Sequence, residues 1–279
     1  MRREQKQSMR ESSLNEESLD QSYNEIFSHL KIARDMPFFV RLDGRRFQAV
    51  SDAVEAMKPF DEKFAQCLVA SGKAIYEGDF NPALVYVASD EVNALFLSDA
   101  PFDGRIEKIN SVLASLVSST FSLAIAQHFK KALPVAFDSR VSICAKNKII
   151  DYLCWRQLNL WRNHNNAYAY WLHRKIGHTP LETAKILKGL KADELHEKLF
   201  QYGINLAETP AWQRRGILIY KEPYQKKSGR LRVVRWRIKE NWNLPLFSSQ
   251  EGQTLIHQIL KWTTQKKGSQ IVRTITKKD

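Results

Sequence analysis

Residues 83–97, ALVYVASDEVNALFL, consist of two short apolar runs on either side of a polar tripeptide. The runs 83–88 and 92–97 have the length and composition of β-strands. Only Ser89, Asp90 and Glu91 separate them, and Ser-Asp is a common turn former. The stretch therefore predicts a β-hairpin with two carboxylates at its turn.

Four further segments complete the pattern around this hairpin. Residues 38–42 (FFVRL) predict a strand, 60–77 a helix, 105–130 a helix with one apolar stripe, and 136–144 a last strand. The order β-α-β-β-α-β is that of the ferredoxin-like fold, in the α+β class. We therefore expect an antiparallel sheet with its helices on one face.

A second acidic signal, RLDGRRF at residues 41–47, follows the first predicted strand. In the predicted topology the first and third strands are antiparallel neighbours, so Asp43 and Asp90 meet at one edge of the sheet. Either motif alone favours an ordinary turn. Together they suit a pair of magnesium ions about 4 Å apart, which activate an attacking hydroxyl and neutralise a departing pyrophosphate. This arrangement predicts phosphoryl or nucleotidyl transfer.

Several short motifs between about residues 25 and 225 carry a resemblance to a known family. They are RLDGRRF (41–47), KPFD (58–61), SDE (89–91), FDSRV (137–141), DYLCWRQ (151–157), RN (162–163) and WQRRG (212–216). In order and spacing they resemble the tRNA(His) guanylyltransferase (Thg1) superfamily of 3′ to 5′ nucleotidyl polymerases. The resemblance implies a polymerase-like palm, which we place at residues 23–145, with a helical and basic region packed on it at 146–279. A polar N-terminus occupies residues 1–22.

The resemblance also implies roles for individual residues. The two metals would be held by Asp43, the backbone carbonyl of Gly44, and Asp90, with Glu91 as a further catalytic carboxylate. Ser89 matches a serine of the family, and Lys58 matches a lysine near the nucleotide triphosphate. The remaining residues that we assign to nucleotide binding belong to the first motif or to the start of the second helix: Arg45, Arg46, Phe47, Arg105 and Lys108.

Two departures from the family pattern bear on the reaction. Gln48 stands where many members have His, and WRNHNNAYAYW at 161–171 replaces a HINNLYN segment of the eukaryotic guanylyltransferases. The chain thus looks like the Thg1-like branch, which implies templated addition of nucleotides to the 5′ end of truncated tRNA after ATP-dependent activation. ATP, GTP and other nucleoside triphosphates would be the substrates. A dedicated guanylyltransferase for histidine tRNA is the alternative; a nucleotidyl cyclase-like enzyme and a non-catalytic RNA-binding protein are more distant ones.

Charge is concentrated at the C-terminal end of the chain. The protein has 43 Lys and Arg against 30 Asp and Glu, a net charge of +13, and the segment 211–279 alone holds 16 basic and 4 acidic residues. This is the electrostatic footprint of a nucleic-acid-binding protein. Residues 231–239 (LRVVRWRIK) predict a strand with a basic face, paired with residues 216–220 in a hairpin.

Polar residues also cluster on a long predicted helix, 149–175, in which Trp155 and Trp171 are expected to pack on the sheet. Several amides and arginines on one helix are poor candidates for burial, so RNA or nucleotide contact is favoured for them. The residues that we assign to RNA binding on this helix, on the last palm strand and in the basic hairpin region are Arg140, Arg156, Gln157, Arg162, Asn163, His164, Arg214, Arg215, Lys226, Lys227, Arg230, Arg235 and Arg237.

Other classes of protein fit poorly. The three cysteines have no disulfide or zinc spacing, and neither a P-loop nor a G-x-S-x-G motif is present. The longest weakly polar run, 112–126, is too short and too rich in serine to span a bilayer, and the N-terminal residues do not form a signal peptide. A cytoplasmic protein without a membrane partner is expected, and the resemblance implies a homo-oligomer built as a dimer of dimers.

Overall fold

The computed structural model describes the backbone of residues 26–228 and 231–275, and the side chains of residues 26–226 and 233–265. The predicted polar segment 1–22 and Arg230 lie outside the described residues, and so does the side chain of Lys227.

One sheet of six antiparallel strands organises the described chain, in the order β4-β1-β3-β2-β5-β6. The strands are β1 (Phe38–Gly44), β2 (Leu84–Ala88), β3 (Glu91–Phe96), β4 (Phe137–Ile143), β5 (Ile217–Ser228) and β6 (Leu231–Asn241). The first four strands have the predicted ferredoxin-like order, which confirms the predicted fold class. The register places Asp43 of β1 opposite Glu91 of β3, so the two acidic motifs meet at one end of the sheet.

Eight α-helices accompany the sheet in the described residues. They are α1 (Phe47–Ala53), α2 (Glu62–Glu77), α3 (Ile106–Phe129), α4 (Ile149–Lys175), α5 (Pro180–Leu187), α6 (Ala192–Gln201), α7 (Ala211–Arg215) and α8 (Gln250–Ile275). The predicted helices α2, α3 and α4 are confirmed. At the start of α2, the Asp61 carboxylate accepts a hydrogen bond from the Phe64 amide at 3.2 Å, which caps the helix.

The first face of the sheet is covered by α2 and α3, as predicted. The α3 stripe, which includes Ile109, Leu113, Val117 and Phe121, is fully buried against this face. By length and composition α3 could also cross a membrane. In the structure its apolar stripe packs in the same core cluster as side chains of β1 and β3. Helix α3 therefore packs as a core helix of the sheet.

The second face of the sheet is covered as well, by helices of the region 146–279 that was expected to pack on the palm. Phe39, Leu84 and Leu95 point to this face and pack with residues of α4 and α8. The physical reason lies in the strands themselves. Residues 83–88 and 92–97 are apolar almost throughout, and strands that are buried on both faces have such continuous apolar runs.

The basic hairpin continues the palm sheet, a contact that the sequence did not predict. Strand β5 pairs with β2, with Val85 opposite Ile219, and β6 pairs with β5 along its whole length. The side chains of Ile217 and Ile219 are buried in the α2 and α3 side of the core. The hairpin is thereby fixed to the palm by backbone hydrogen bonds as well as by packing.

Gly216, between α7 and β5, allows this pairing. Its φ is +81°, and a Cβ there would lie 2.5 Å from Cε2 of Tyr86 and 2.6 Å from the carbonyl oxygen of Val87. Gly203 is a matched control, because its φ is +76° and a Cβ there would meet nothing within 4 Å. We expect Gly216→Ala to lower the free energy of unfolding by at least about 2 kcal/mol more than Gly203→Ala does. Urea unfolding of both variants measures the difference, and equal losses would show that the close approach at Gly216 is unimportant.

Candidate active site

The two aspartates of the sequence motifs lie together at one end of the sheet. Asp43 is near the end of β1, and Asp90 is in the turn between β2 and β3. The backbone amide of Gly44 donates a hydrogen bond to the carbonyl oxygen of Asp90 at 3.1 Å, which ties the two motifs directly. The predicted juxtaposition of Asp43 and Asp90 is therefore present in the structure.

The electrostatics of the pair favour a cation. Burial, followed by the negative charge of Asp43, raises the pKa of Asp90 from 3.8 to about 6. Burial, followed by the charge of Glu91, also raises the pKa of Asp43. Each carboxylate is thus less stable as an anion than it would be in water, and a nearby cation would reverse this effect.

The donor set at this position fits magnesium. Two carboxylates and the Gly44 carbonyl group are hard oxygen donors, which Mg²⁺ prefers. Within residues 26–228 and 231–275, no group of three or more His, Cys, Asp and Glu side chains is arranged to hold a metal. A site here would therefore depend on two side chains, Asp43 and Asp90, with backbone, water or substrate oxygens as the other ligands.

A cavity of about 330 Å³ opens beside Asp90. Five residues assigned from the sequence line it: Phe47, Lys58, Ser89, Asp90 and Asn163. The sequence reasoning missed several other lining residues, among them Gln48, Phe60, Trp171, Trp212 and Gln213. Phe60 and Trp212 belong to the KPFD and WQRRG motifs, so these motifs are the sequence signal from which both residues could have been assigned to the site.

Lys58 is a basic residue whose side chain lines this cavity. Its ammonium group lies 2.6 Å from a carboxylate oxygen of Asp52 and 5.3 Å from the centre of the Trp171 ring. The side chain is only 21% exposed. Asp61 accepts a hydrogen bond from the Met57 amide at 2.8 Å, which closes the loop that carries Lys58. The lysine is thus held beside the cavity by α1 and α4.

Phe47 has a more structural position than predicted. It lines the cavity, yet it is 7% exposed, and its ring contacts Phe121 and Phe137 in the core. A Cβ on Gly44 would lie 2.2 Å from the Phe47 ring. Glycine at position 44 therefore lets the ring pack directly beneath the end of β1.

His164 does not face solvent, and its assignment to RNA binding was wrong. The side chain is completely buried, and its Nε2 lies 2.9 Å from the hydroxyl of Thr209. Burial lowers the pKa of His164 to about 4, so the ring is neutral at physiological pH. Its ring stacks on Phe60, 5.7 Å between centres. His164 supports the wall of the cavity.

Gln157 and Arg156 are also buried, at 4% and 5% exposure, so the structure contradicts RNA contact by their side chains. The Gln157 amide donates hydrogen bonds to the carbonyl oxygens of Arg215 and Pro245 and accepts one from the Phe247 amide. Arg156 forms an ion pair with Glu91. These polar groups are buried because each finds partners that lie far away in the sequence.

For Trp155 the prediction was wrong in the opposite direction. It was expected in the core, but it is 51% exposed. Its ring lies over the guanidinium group of Arg156, at 3.5 Å. The indole therefore covers the outer side of the Arg156 side chain. Trp171, by contrast, is partly buried at the cavity.

Arg105 and Lys108 lie at the opposite end of the sheet from Asp90, so their assignment to the nucleotide site was wrong for this chain. Strand β3 begins beside Asp43 and ends at Phe96, which pairs with Phe38 at the other end of the sheet. Helix α3 begins after this end of β3. Arg105 pairs there with Lys31 in an isolated β-bridge. Arg45 and Arg46, in contrast, directly follow β1 and are exposed.

The other residues assigned to RNA have varied surroundings. Arg140, Arg162, Lys226 and Arg235 are exposed. Arg214 and Arg215 line a second cavity of about 380 Å³ together with Trp161. Arg237 is exposed too, but it forms an ion pair with the Glu222 carboxylate, which also lies 3.0 Å from Lys239. Part of the positive charge on the hairpin face is therefore neutralised within the protein.

Comparison with family models and curated proteins places this site in context. Residues 21–145 match the model of tRNAHis guanylyltransferase, and residues 147–278 match that of the Thg1 C-terminal domain. The chain is 32% identical over 193 residues to the tRNA(His) guanylyltransferase of Saccharomyces cerevisiae, covering 64% of this chain and 80% of that protein. It is 30% identical over 203 residues to the enzyme of Candida glabrata, covering 69% and 85%. It also matches tRNA(His) guanylyltransferase 1 of Arabidopsis thaliana, at 30% identity, but spans only 34% of that longer protein.

Solved structures show the same fold. A bacterial tRNA(His) guanylyltransferase (Thg1)-like protein in complex with ATP aligns with a TM-score of 0.70 at 23% identity, over 88% of this chain and 97% of that one. The Saccharomyces cerevisiae tRNA(His) guanylyltransferase aligns with a TM-score of 0.63 at 27% identity, over 71% and 90%. With two family models that together span most of the sequence, this chain belongs to the tRNA(His) guanylyltransferase family.

Proposed function

We propose that the protein transfers a nucleotide to the 5′ end of tRNA, and that guanosine addition to histidine tRNA is the reaction best supported. The observation that carries this proposal is the cavity beside Asp90, which combines one carboxylate of the Asp43 and Asp90 pair with a held lysine and aromatic walls. Cavities of about 300 to 1,000 Å³ are typical of small-molecule sites. The family relatives named as tRNA(His) guanylyltransferases support the choice of reaction.

The parts of the site suit a nucleoside triphosphate. Phe60, Trp171 and Trp212 offer apolar and aromatic surface for a base, and Lys58 offers a positive charge for phosphate. Gln48, Asn163 and Gln213 carry amides that can donate to and accept from the edge of a base. Structures of bacterial Thg1-like proteins with ATP and with GTP support nucleotide binding by this fold.

The proposed metal ligands are Asp43, Asp90 and the Gly44 carbonyl group. Magnesium bound by these groups would stabilise the negative charge that develops on the transferring phosphoryl group and would lower the pKa of an attacking hydroxyl. The chain's own contribution is to hold the two carboxylates at adjacent strand ends, beside a cavity that Asp90 and Lys58 both line.

Templated repair of truncated tRNA is the second candidate. Gln48, where many family members have His, lines the cavity. This difference from the family pattern therefore lies where it can affect substrate binding. The likeness to the bacterial Thg1-like protein covers most of both chains, and this supports the same branch.

RNA contact is proposed for basic residues at the second cavity and on the hairpin. Arg214 and Arg215 line the second cavity with Trp161, a combination that suits a phosphate and a stacked base. Arg235 lies on the exposed part of the hairpin. Such contacts would make tRNA affinity fall steeply with rising salt concentration.

The test is incorporation of labelled nucleotides, with Mg²⁺ and ATP, into two substrates: full-length histidine tRNA and a 5′-truncated tRNA. Addition of guanosine restricted to histidine tRNA supports the guanylyltransferase reaction. Preferential addition of the complementary nucleotide to the truncated tRNA supports templated repair. If neither tRNA accepts a nucleotide, the proposed function is wrong; formation of a cyclic nucleotide without RNA would instead indicate a cyclase.

Lys58→Ala should raise the KM for the nucleoside triphosphate by about tenfold with a smaller effect on tRNA affinity, because one charged phosphate contact is worth on the order of 1 to 3 kcal/mol. Lys73→Ala is the matched control, since Lys73 is also partly exposed and paired, with Glu240 at 3.0 Å, but lies away from the cavity beside Asp90. Steady-state kinetics with varied nucleotide would compare the two. Equal KM values for both variants would remove Lys58 from the nucleotide site.

A further inference from the structure

Glu91 lies next to the proposed metal ligands but is turned toward helix α4. Its two carboxylate oxygens accept hydrogen bonds from Nη1 of Arg156, at 3.0 and 3.2 Å. The Asn93 amide lies 3.4 Å from Oε2 of Glu91, and the hydroxyl of Tyr152 donates to Asn93 at 2.9 Å. Glu91 is therefore part of a polar network between β3 and α4.

Arg156 is almost completely buried. Its side chain is 5% exposed, against 19% for Glu91, and the Trp155 ring covers the guanidinium group at 3.5 Å. A buried charge of this kind needs a fixed counter-charge, and removal of one partner leaves the other uncompensated. The position of Arg156 thus depends on Glu91, and that of Glu91 on Arg156.

The pair also sits close enough to the aspartates to affect them electrostatically. Glu91 is directly opposite Asp43 in the sheet register and adjacent to Asp90 in the chain. An unpaired charge at this distance would change the attraction of the site for a cation. The ion pair as a whole has no net charge, so it attracts a cation less than an unpaired Glu91 carboxylate would.

From these contacts we infer that Arg156 is a positioning residue that holds Glu91 out of the coordination sphere of a metal ion bound by Asp43 and Asp90. The Glu91 carboxylate then balances the charge of Arg156 and is not itself a metal ligand. This inference rests on the proposed metal site. It assigns Arg156 and Glu91 roles that differ from RNA contact and direct catalysis.

Mn²⁺ binding to the full chain, followed by electron paramagnetic resonance without nucleotide or RNA, tests the inference. Glu91→Gln leaves Arg156 with an unbalanced positive charge, so Mn²⁺ affinity should fall by about tenfold. Adding Arg156→Met removes that charge, and the double variant should return to within about threefold of the wild-type affinity. Asp90→Asn, which removes a ligand, should abolish the specific binding in either background.

A double variant that binds Mn²⁺ as weakly as Glu91→Gln would overturn the inference, because Glu91 would then be a ligand. A loss of tRNA affinity of more than about tenfold in a folded double variant would also overturn it, since Arg156 would then contact RNA. If Glu91→Gln alone does not fold, the Mn²⁺ affinity of the double variant, in which the charges of both Glu91 and Arg156 are removed, is compared directly with that of the wild type. Wild-type Mn²⁺ binding that does not depend on Asp90 would refute the metal site, whereas Asp90-dependent binding without nucleotide incorporation would refute only the proposed function.

Discussion

Asp43→Asn and Asp90→Asn should each reduce nucleotide incorporation into tRNA by about a thousandfold or more, because each removes one of only two charged ligands from the proposed metal site. Asparagine keeps the size and much of the hydrogen bonding of aspartate, so the fold should be preserved. The affinity for tRNA should also stay close to that of the wild type, since the proposed RNA contacts lie on other residues. Single-turnover incorporation and filter binding of tRNA measure the two quantities separately.

The control for this pair is Asp103→Asn. Asp103 is exposed, pairs with Lys31 and lies at the opposite end of the sheet, near the start of α3, so its loss should leave incorporation unchanged. If Asp43→Asn kept normal activity in folded protein, the carboxylate pair would not be the catalytic centre. If instead tRNA affinity fell in parallel with activity, the aspartates would serve RNA binding or the fold.

The core of the fold could be predicted because its signals are local. The hairpin at 83–97 has its turn residues between two apolar runs, and the α3 stripe repeats at helical spacing. The ferredoxin-like topology then placed Asp43 beside the turn of the hairpin, although Asp43 and Asp90 are 47 positions apart in the sequence. Short-range pattern and one topological rule were enough for this part of the site.

The parts that could not be predicted depend on contacts between distant segments. The pairing of β5 with β2 joins residues more than a hundred positions apart, and the apolar sequence of β5 does not specify its partner. The same holds for the polar residues of α4. Gln157 and His164 look like surface residues because polar side chains usually are, but their partners at 215, 245 and 209 become visible only in the folded chain.

Metal-free Asp90→Asn should be more stable than the wild type at neutral pH, even though it is inactive. The pKa of Asp90 is raised to about 6, first by burial and then by the charge of Asp43, so above this pH the folded state holds a carboxylate in an unfavourable environment. A shift of this size corresponds to roughly 3 kcal/mol. Below pH 4 the group is protonated in both the folded and the unfolded state, and this destabilisation is absent. The wild type should therefore lose stability relative to Asp90→Asn as the pH rises from 4 through 6.

Urea unfolding in EDTA at pH 4.5 and pH 7.5 measures this difference, with Asp138→Asn as the control. Asp138 lies opposite Asp43 on the edge strand β4 but is half exposed, so its replacement should change stability little at either pH. Added Mg²⁺ should stabilise the wild type and not Asp90→Asn, because a bound cation compensates the carboxylate. A gain in stability that is the same at both pH values would mean that the Asp90 charge is not its cause. A gain that is clearly larger at pH 7.5 than at pH 4.5 and is cancelled by Mg²⁺ would show that the carboxylate is held at the expense of stability, as a site built to bind a cation requires.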